Sequence, residues 1–303
     1  MATYRANFPD LLEPVFRKIF DDRYKELPQE FPTIYSVSNS GKQQEKDSAV
    51  SGFGLLELTP EGGAINYEDP VQMYDKTYTH LKYTKGFKIS EEMYEDDQYN
   101  VMKKKPKALG RAVRRTADYY GAQAFNNAFN TANPGGDGVP MCSTVHPRSD
   151  GGTAQSNASA TGITLTDQNL AVGRIAMRGQ LDDKGMRILA KANTILTGVE
   201  LEDTAKRLVG SAKRPGVADN DINVHENAYT LRVWDYITSD TAWFLLGDDR
   251  ELNWFWRIRP EFKQDDRFDT GMGCYKTRIR FSYGWSDWRA IWGSQGDGAA
   301  YAD

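Results

Sequence analysis

The sequence predicts an α+β chain in which helices and strands are mixed along the length, and three patterns carry that reading. Lys107 to Asn130 repeats apolar residues at helical spacing. Between Thr166 and Val209, two helical patterns with cap signals flank an apolar strand. Three later segments read as strands from their alternation or apolar run.

In chain order, Phe8, Leu11, Leu12, Val15, Phe16, Ile19 and Phe20 form a helical stripe, with Pro9 and Pro14 shaping its early turns. Such a stripe is expected to face the chain's own core, with a neighbouring subunit as the alternative. Gln29 to Ser51 is polar with scattered aromatics, and Gly41 to Ser48 reads as an exposed linker. From Tyr78 to Ser90, the residues Tyr78, Tyr83, Phe87 and Ile89 stand among Lys82, Lys85 and Lys88, which suits a β-ribbon arm with few core contacts. Acidic Glu91, Glu92, Glu95, Asp96 and Asp97 then precede Lys103, Lys104, Lys105 and Lys107. Leu109, Val113, Ala117, Tyr120, Ala124 and Ala128 recur three or four residues apart, so Lys107 to Asn130 reads as one helix of ~36 Å, long for a domain of this size. Pro106 marks its start or a kink, and Asn133, Pro134, Gly135 and Gly136 end it.

Pro134 to Gly162 is rich in Gly, Ser, Asn and Ala and reads as a long surface loop. Thr166 and Asp167 cap a helix expected to reach about Asp182 and to be closed by Gly185, and Ile188 and Leu189 lead into a buried strand ending near Leu196. Thr197 with Glu200 forms a capping-box pattern before Leu201, Ala205, Leu208 and Val209. Tyr229 to Thr238 and Ala242 to Leu246 read as strands. Thr277, Ile279, Phe281 and Tyr283 alternate with Lys276, Arg278 and Arg280, a strand with one wet or salt-bridged face.

Bulk properties exclude more than they identify. With 303 residues, 26% charged, 12% aromatic and a net charge of −4, the chain is an ordinary globular protein and is not built to coat nucleic acid. Cys142 and Cys274 lie far apart with no CxxC, which fits a reducing compartment and indicates neither a disulfide framework nor a zinc ribbon. The first residues carry no apolar leader, and no run approaches the ~20 apolar residues of a membrane span, so neither export by a standard signal nor membrane embedding is expected.

No catalytic, cofactor or metal site is expected. His80, His146 and His225 sit in separate regions without HExxH spacing. Asp219, Asp221 and Asn223 begin like a calcium loop, but Val224 and Thr230 occupy its glycine and glutamate positions. Gly284-Trp285-Ser286 lacks the second glycine of a nucleophile elbow, and Gly271 with Gly273 lacks the third glycine of a dinucleotide loop. Adjacent acids such as Asp182–Asp183, Asp248–Asp249 and Asp265–Asp266 read as solvated or salt-bridged groups. Lys103 to Lys107 with Arg111, Arg114 and Arg115 is the strongest charged cluster. Contact with carboxylates of the same or a neighbouring chain is favoured over phosphate, because no aromatics interleave with it.

Several stretches, in order, resemble the major capsid proteins of tailed bacteriophages, in particular the Mu-like major head subunits, and hence the Hong Kong 97 capsid fold. They are Lys85 to Ser90; Glu91, Glu92, Tyr94, Asp96, Asp97 and Tyr99 ahead of the long helix; Asp137 to Pro140 through Ser143, Thr144, His146 and Pro147; and Ala218 to Val224. Asp240, Ala242, Trp243, Phe244 and Leu245 continue the series, then Asp265, Phe268, Asp269, Tyr275, Arg278, Gly284, Asp287, Trp288, Arg289 and Gly293.

The resemblance implies a Hong Kong 97 type subunit with an N-terminal arm (1–48), an extended β-ribbon loop lying over a neighbour (49–90), a peripheral domain with the spine helix (91–156 and 261–303) and an axial α/β domain (157–260). It implies pentamers and hexamers of one chain closing an icosahedral shell around double-stranded DNA, in a virion assembled in the bacterial cytoplasm. Scaffold, portal and decoration proteins are the implied partners, and neither a cofactor nor an enzyme activity is implied. Because no long scaffolding region precedes the arm, scaffold is expected as a separate or removed protein, and no covalent crosslink is expected. Tyr78, Lys82, Lys85, Phe87, Lys103, Lys104, Arg111, Arg114 and Arg115 are the candidate subunit-interface residues. Two other readings are an encapsulin-like shell and a nucleic-acid or glycan binder whose seven tryptophans form stacking surfaces.

Overall fold

The computed structural model describes residues 9–26, 28–69, 72–90, 92–93, 96, 101–149, 151–214, 221–267 and 272–301. Helices α1 (Pro9–Lys25), α2 (Phe31–Ile34), α3 (Val101–Asn126), α4 (Asp167–Gly179) and α5 (Glu202–Gly210) are interleaved with ten strands among the described residues. These are β1 (Ser36–Asn39), β2 (Gln44–Val50), β3 (Gln72–Thr79), β4 (Leu81–Ser90), β5 (Ala192–Thr197), β6 (Thr230–Val233), β7 (Trp243–Gly247), β8 (Leu252–Arg267), β9 (Met272–Trp285) and β10 (Ile291–Ser294). Mixed helix and sheet is therefore the observed class, and the chain divides into two units, each assembled from three stretches of sequence.

The first unit (Met1–Glu45, Tyr78–Gly121 and Trp254–Tyr283) is built on a sheet of order β1-β8-β9-β4. In β9 the expected alternation holds: Tyr275, Thr277, Ile279 and Phe281 are buried, whereas Lys276, Arg278 and Arg280 face outward. Arg278 meets Glu261 at 2.8 Å on that outer face. The inner face is covered by aromatic side chains from two helices. Phe16 and Phe20 of α1 lie 5.2 and 5.4 Å, centroid to centroid, from Tyr275 and Phe262, and Tyr120 of α3 lies 4.5 Å from Tyr83. The own-core reading of the N-terminal stripe thus holds for Phe16 and Phe20, while Val15 is exposed and Phe8 lies outside the described residues. At Gly110 a methyl group would stand 2.8 Å from the Phe20 carbonyl oxygen, so only glycine lets α1 and α3 approach this closely.

Two expectations change in this unit, and one strand is additional. The Tyr78–Ser90 stretch is no free arm. All ten residues of β4 pair antiparallel with β9, from Leu81 opposite Phe281 to Ser90 opposite Met272, and Tyr78 and Ile89 are buried. Its aromatics find their core contacts on β9, whose distance along the chain leaves no local trace of the pairing. The long helix begins at Val101 and ends at Asn126, with Pro106 inside it, where the ring forfeits one backbone bond early in the helix. The 16-residue strand β8 was not foreseen, and Pro260 within it argues against a strand by composition alone.

The second unit (Lys46–Thr77, Ala122–Asn253 and Gly284–Asp303) holds a sheet of order β10-β7-β5-β6, with β5 and β6 parallel and the other pairs antiparallel. Strand β7 is buried along its length. Its Trp243 and Leu245 join Leu170, Met177, Ala205 and Leu208 of α4 and α5, and Phe244 packs on Phe125 at 5.2 Å and Phe129 at 5.8 Å. Alternate side chains thus serve two layers, as strand geometry requires. Thr166 caps α4 as expected, its hydroxyl accepting from the Asn169 N–H at 3.2 Å. The Thr197 capping box does not form, since Thr197 ends β5 and a 3₁₀ turn (Val199–Leu201) leads into α5.

Two further expectations are corrected here. Gly41–Ser48 is not a linker, because β2 begins at Gln44 and pairs with β3. Pro134–Gly162 lacks long regular elements as expected, but its centre is interior: Met141, Cys142, Ser143, His146 and Asn157 are buried. Polar side chains make this possible by supplying the hydrogen bonds that a loop backbone lacks. Asn157 accepts from the Ser143 N–H at 2.8 Å and donates to the Met141 carbonyl at 2.8 Å, and His146 bridges Asp137 (2.7 Å) and Asn157 (3.0 Å) while stacking on Trp288.

Candidate assembly surfaces

The most exposed apolar surface lies in the second unit, on residues 51–69 between β2 and β3. Phe53, Leu55, Leu56, Leu58, Ile65 and Tyr67 are all exposed, Leu56 and Leu58 at 99% and 100%. The segment has no helix or strand but is shaped. The Gly63 N–H donates to the Pro60 carbonyl at 2.9 Å and Gly62 sits at φ +78°, which together make a turn at the tip. The Glu68 carboxylate accepts from the Gly54 N–H at 2.9 Å and pairs with Lys184. At the base, Asp75 meets Lys46 at 2.6 Å, Ser48 at 2.5 Å and Gln72 at 2.9 Å, and these bonds hold its carboxyl down at about 2. A chain that fixes a segment at both ends while leaving six large apolar side chains in water presents a surface meant for something else.

The first unit carries the cationic candidates. Lys103, Lys104, Arg111 and Arg115 are exposed on α3, and among the described residues none of the four meets a carboxylate. Of the acidic run that precedes α3, Glu91, Glu95 and Asp97 lie outside the described residues. Arg114 departs from its expected surface position. At 5% exposure it points inward, donating to the Tyr24 carbonyl at 3.3 Å and standing 4.0 Å from Asp118. Helical geometry explains the split, because Arg114 shares the buried side with Val113 and Ala117. Asp118 accepts the backbone N–H groups of Glu30 (3.1 Å) and Phe31 (3.3 Å), which ties the start of α2 to α3. Burial pushes its carboxyl up, against those N–H bonds and Arg114.

On the strands, Tyr78 is 2% exposed and packs on Phe255 at 5.1 Å, whereas Phe87 is half-buried and stacks on Tyr275 at 5.0 Å. Lys82 and Lys85 are exposed on the edge strand β4, where lysines discourage unwanted strand pairing. The sequence missed the leucine segment because exposed apolar residues betray themselves only against a structure. Phe53, Leu55, Leu56 and Leu58 are the signal that was there to read. All seven tryptophans are buried, so the stacking-surface reading is overturned. Among the described residues no group of three His, Cys, Asp or Glu is placed to hold a metal, and no helix is long and apolar enough to cross a membrane.

A family model described as phage capsid protein matches residues 74–294. The chain belongs to the phage capsid protein family. Its function is structural: it is a building block of a phage head shell. Solved capsids share the fold. The capsid of bacteriophage JBD30 is 14% identical with a TM-score of 0.57, over 78% of this chain and 96% of that one. The JBD30 procapsid is 16% identical at 0.52, over 94% and 75%. The capsid of a native GTA particle is 13% identical at 0.55, over 86% and 88%. No curated protein sequence matches the chain.

Proposed function

We propose that this capsid protein is the major head subunit of a tailed bacteriophage, of the Mu-like group and the Hong Kong 97 type, closing as pentamers and hexamers into an icosahedral shell around double-stranded DNA. In this reading α3 is the spine helix, residues 1–48 the arm, 49–90 the extended loop, 91–156 with 261–303 the peripheral domain and 157–260 the axial domain. Scaffold and portal act during assembly in the bacterial cytoplasm. Decoration proteins join the finished shell in this reading, which is supported by one JBD30 capsid of similar fold that is decorated with minor capsid protein trimers.

The observation that carries the proposal is the uncovered apolar segment 51–69 in a capsid-family chain, because a subunit that repeats around a shell has a neighbour to receive it. Lys82, Lys85, Lys103, Lys104, Arg111 and Arg115 remain candidates for inter-subunit contact, since each is exposed. Tyr78, Phe87 and Arg114 support the same contacts from within by holding β3, β4 and α3 in place. Negative-stain electron microscopy of the expressed protein tests the proposal. Regular shells containing nucleic acid are the expected result, shells around protein cargo favour the encapsulin-like alternative, and dispersed monomers at high concentration refute a self-assembling subunit.

A further inference from the structure

The sheet of the first unit has an outer face that its own helices do not use. Alternate residues of β8 and β9 are buried under α1 and α3, so the intervening ones point away. On that face Arg278 and Lys263 share Glu261, at 2.8 and 3.5 Å. Six more cations, Lys82, Lys88, Arg257, Arg259, Lys276 and Arg280, meet no carboxylate among the described residues; Arg259 reaches only the Asn39 side-chain oxygen, at 3.1 Å.

This arrangement costs the isolated chain stability. The strand register sets Lys82 directly opposite Arg280, and like charges opposed across strands are unfavourable. The Nε–H groups of Arg257 and Arg278 are buried without an acceptor. A chain of net charge −4 has acids enough to neutralise such a face, yet among the described residues places few there, Glu261 and Asp265 of β8. Unrelieved like charge concentrated on one sheet face is the footprint of an anion supplied from outside.

The other residues of the face indicate which anion. Beside the cations stand Thr84, Gly86 and Asn39, polar or small residues of the kind that contact phosphate and sugar. The core of a protein–protein contact favours aromatics and is poor in lysine, and the leucines of segment 51–69 would find no apolar seat here. We propose that the outer face of the β1-β8-β9-β4 sheet holds the phosphate backbone of double-stranded DNA without reading its sequence. The proposal rests on the genome-enclosing reading above and names a surface for it, distinct from the cations of α3.

The test uses the full chain and a mixed-sequence duplex of about 30 base pairs, with affinity followed by fluorescence anisotropy between roughly 50 and 200 mM salt. Lys88→Glu with Lys276→Glu and Arg280→Glu should weaken binding more than about tenfold and flatten the salt dependence by about 2 to 3 in log–log slope. Should reversal impair folding, the triple alanine variant, which relieves the repulsion, replaces it. Lys104→Glu with Arg111→Glu should leave duplex binding in place, and the sheet variant should still form empty shells. Undiminished duplex binding by the sheet variant overturns the proposal, as does binding lost only in the α3 variant. A sheet variant that cannot form empty shells marks the face as a subunit contact and overturns it too. Wild-type protein that binds duplex but never forms shells counts against the capsid reading alone.

Discussion

Replacing Leu55, Leu56 and Leu58 together by serine separates what folds the subunit from what assembles it. The three side chains are 81%, 99% and 100% exposed, so their removal takes almost nothing from the folded chain. The melting temperature of the unassembled subunit should therefore stay within about 2 °C of wild type. In a shell that buries them, each leucine contributes up to about 2 kcal/mol, or about 6 kcal/mol for the three. Incomplete cover and partial collapse of the loop in water reduce this to about 3 kcal/mol, which is roughly a hundredfold in association constant.

The assay is sedimentation of the protein across a concentration series, reading the threshold above which subunits pass into large particles. The variant should require roughly a hundredfold higher concentration than wild type, or fail to assemble at any concentration reached. An unchanged threshold would show that the leucines stay in water in the particle and would remove the neighbour-docking argument. A melting temperature lowered by many degrees would show that the segment packs within its own chain, contrary to its exposure.

Arg111→Glu with Arg115→Glu should impair assembly of empty shells, increasingly so at higher salt as the remaining pairs are screened; a variant that assembles normally and fails only with DNA would assign these cations to phosphate instead. Arg114→Ala should instead lower the stability of the unassembled subunit by roughly 2 to 4 kcal/mol in denaturant unfolding, because Asp118 would stay buried with less compensation; a loss under about 0.5 kcal/mol would contradict its inward placement. His80 lies buried between Ser40 and Ser282, at 3.0 Å from each, and burial pushes its imidazole below the usual histidine value. A depressed folded value means its stabilisation is present above the unfolded value of about 6.5 and is lost as pH falls below it, so the wild type should weaken as pH falls below about 6.5. His80→Gln should remove that part of the acid sensitivity, and an identical pH profile in the variant would refute the assignment.

What the sequence disclosed follows the range of the interactions involved. Phe16 and Phe20, the Thr166 cap and the Thr277–Phe281 alternation are local patterns, and each appears where its spacing places it. β4 was misjudged because a lysine-rich strand looks solvent-bound on its own. Its burial comes from β9, nearly two hundred residues later, which receives Tyr83 and Phe87 on Phe281 and Tyr275. β8 was hidden by Pro260, and the buried loop around His146 by a composition that usually means water. Among the interface candidates, identity and charge were readable but direction was not. Arg114 and Arg115 are neighbours in sequence and opposites in environment, a distinction set by which side of α3 faces the aromatic sheet.

The same contrast explains how one chain can be both a stable fold and an assembly unit. Buried aromatics such as Trp254 on Phe281, and locks such as Asp118 on the Glu30 and Phe31 amides, close the first unit without help from outside. Leu56, Leu58, Arg111 and Arg115 contribute little to that closure, so changes there act on association while changes at Arg114 or His80 act on folding. Because every subunit in a shell repeats each contact, contributions of about 1 kcal/mol at the surface add up over the particle and act on association, whereas a core contribution of the same size acts on the folding of each chain. Selection on the shell therefore allows weak, exposed and partly repulsive surfaces in the free subunit, provided that assembly supplies their partners.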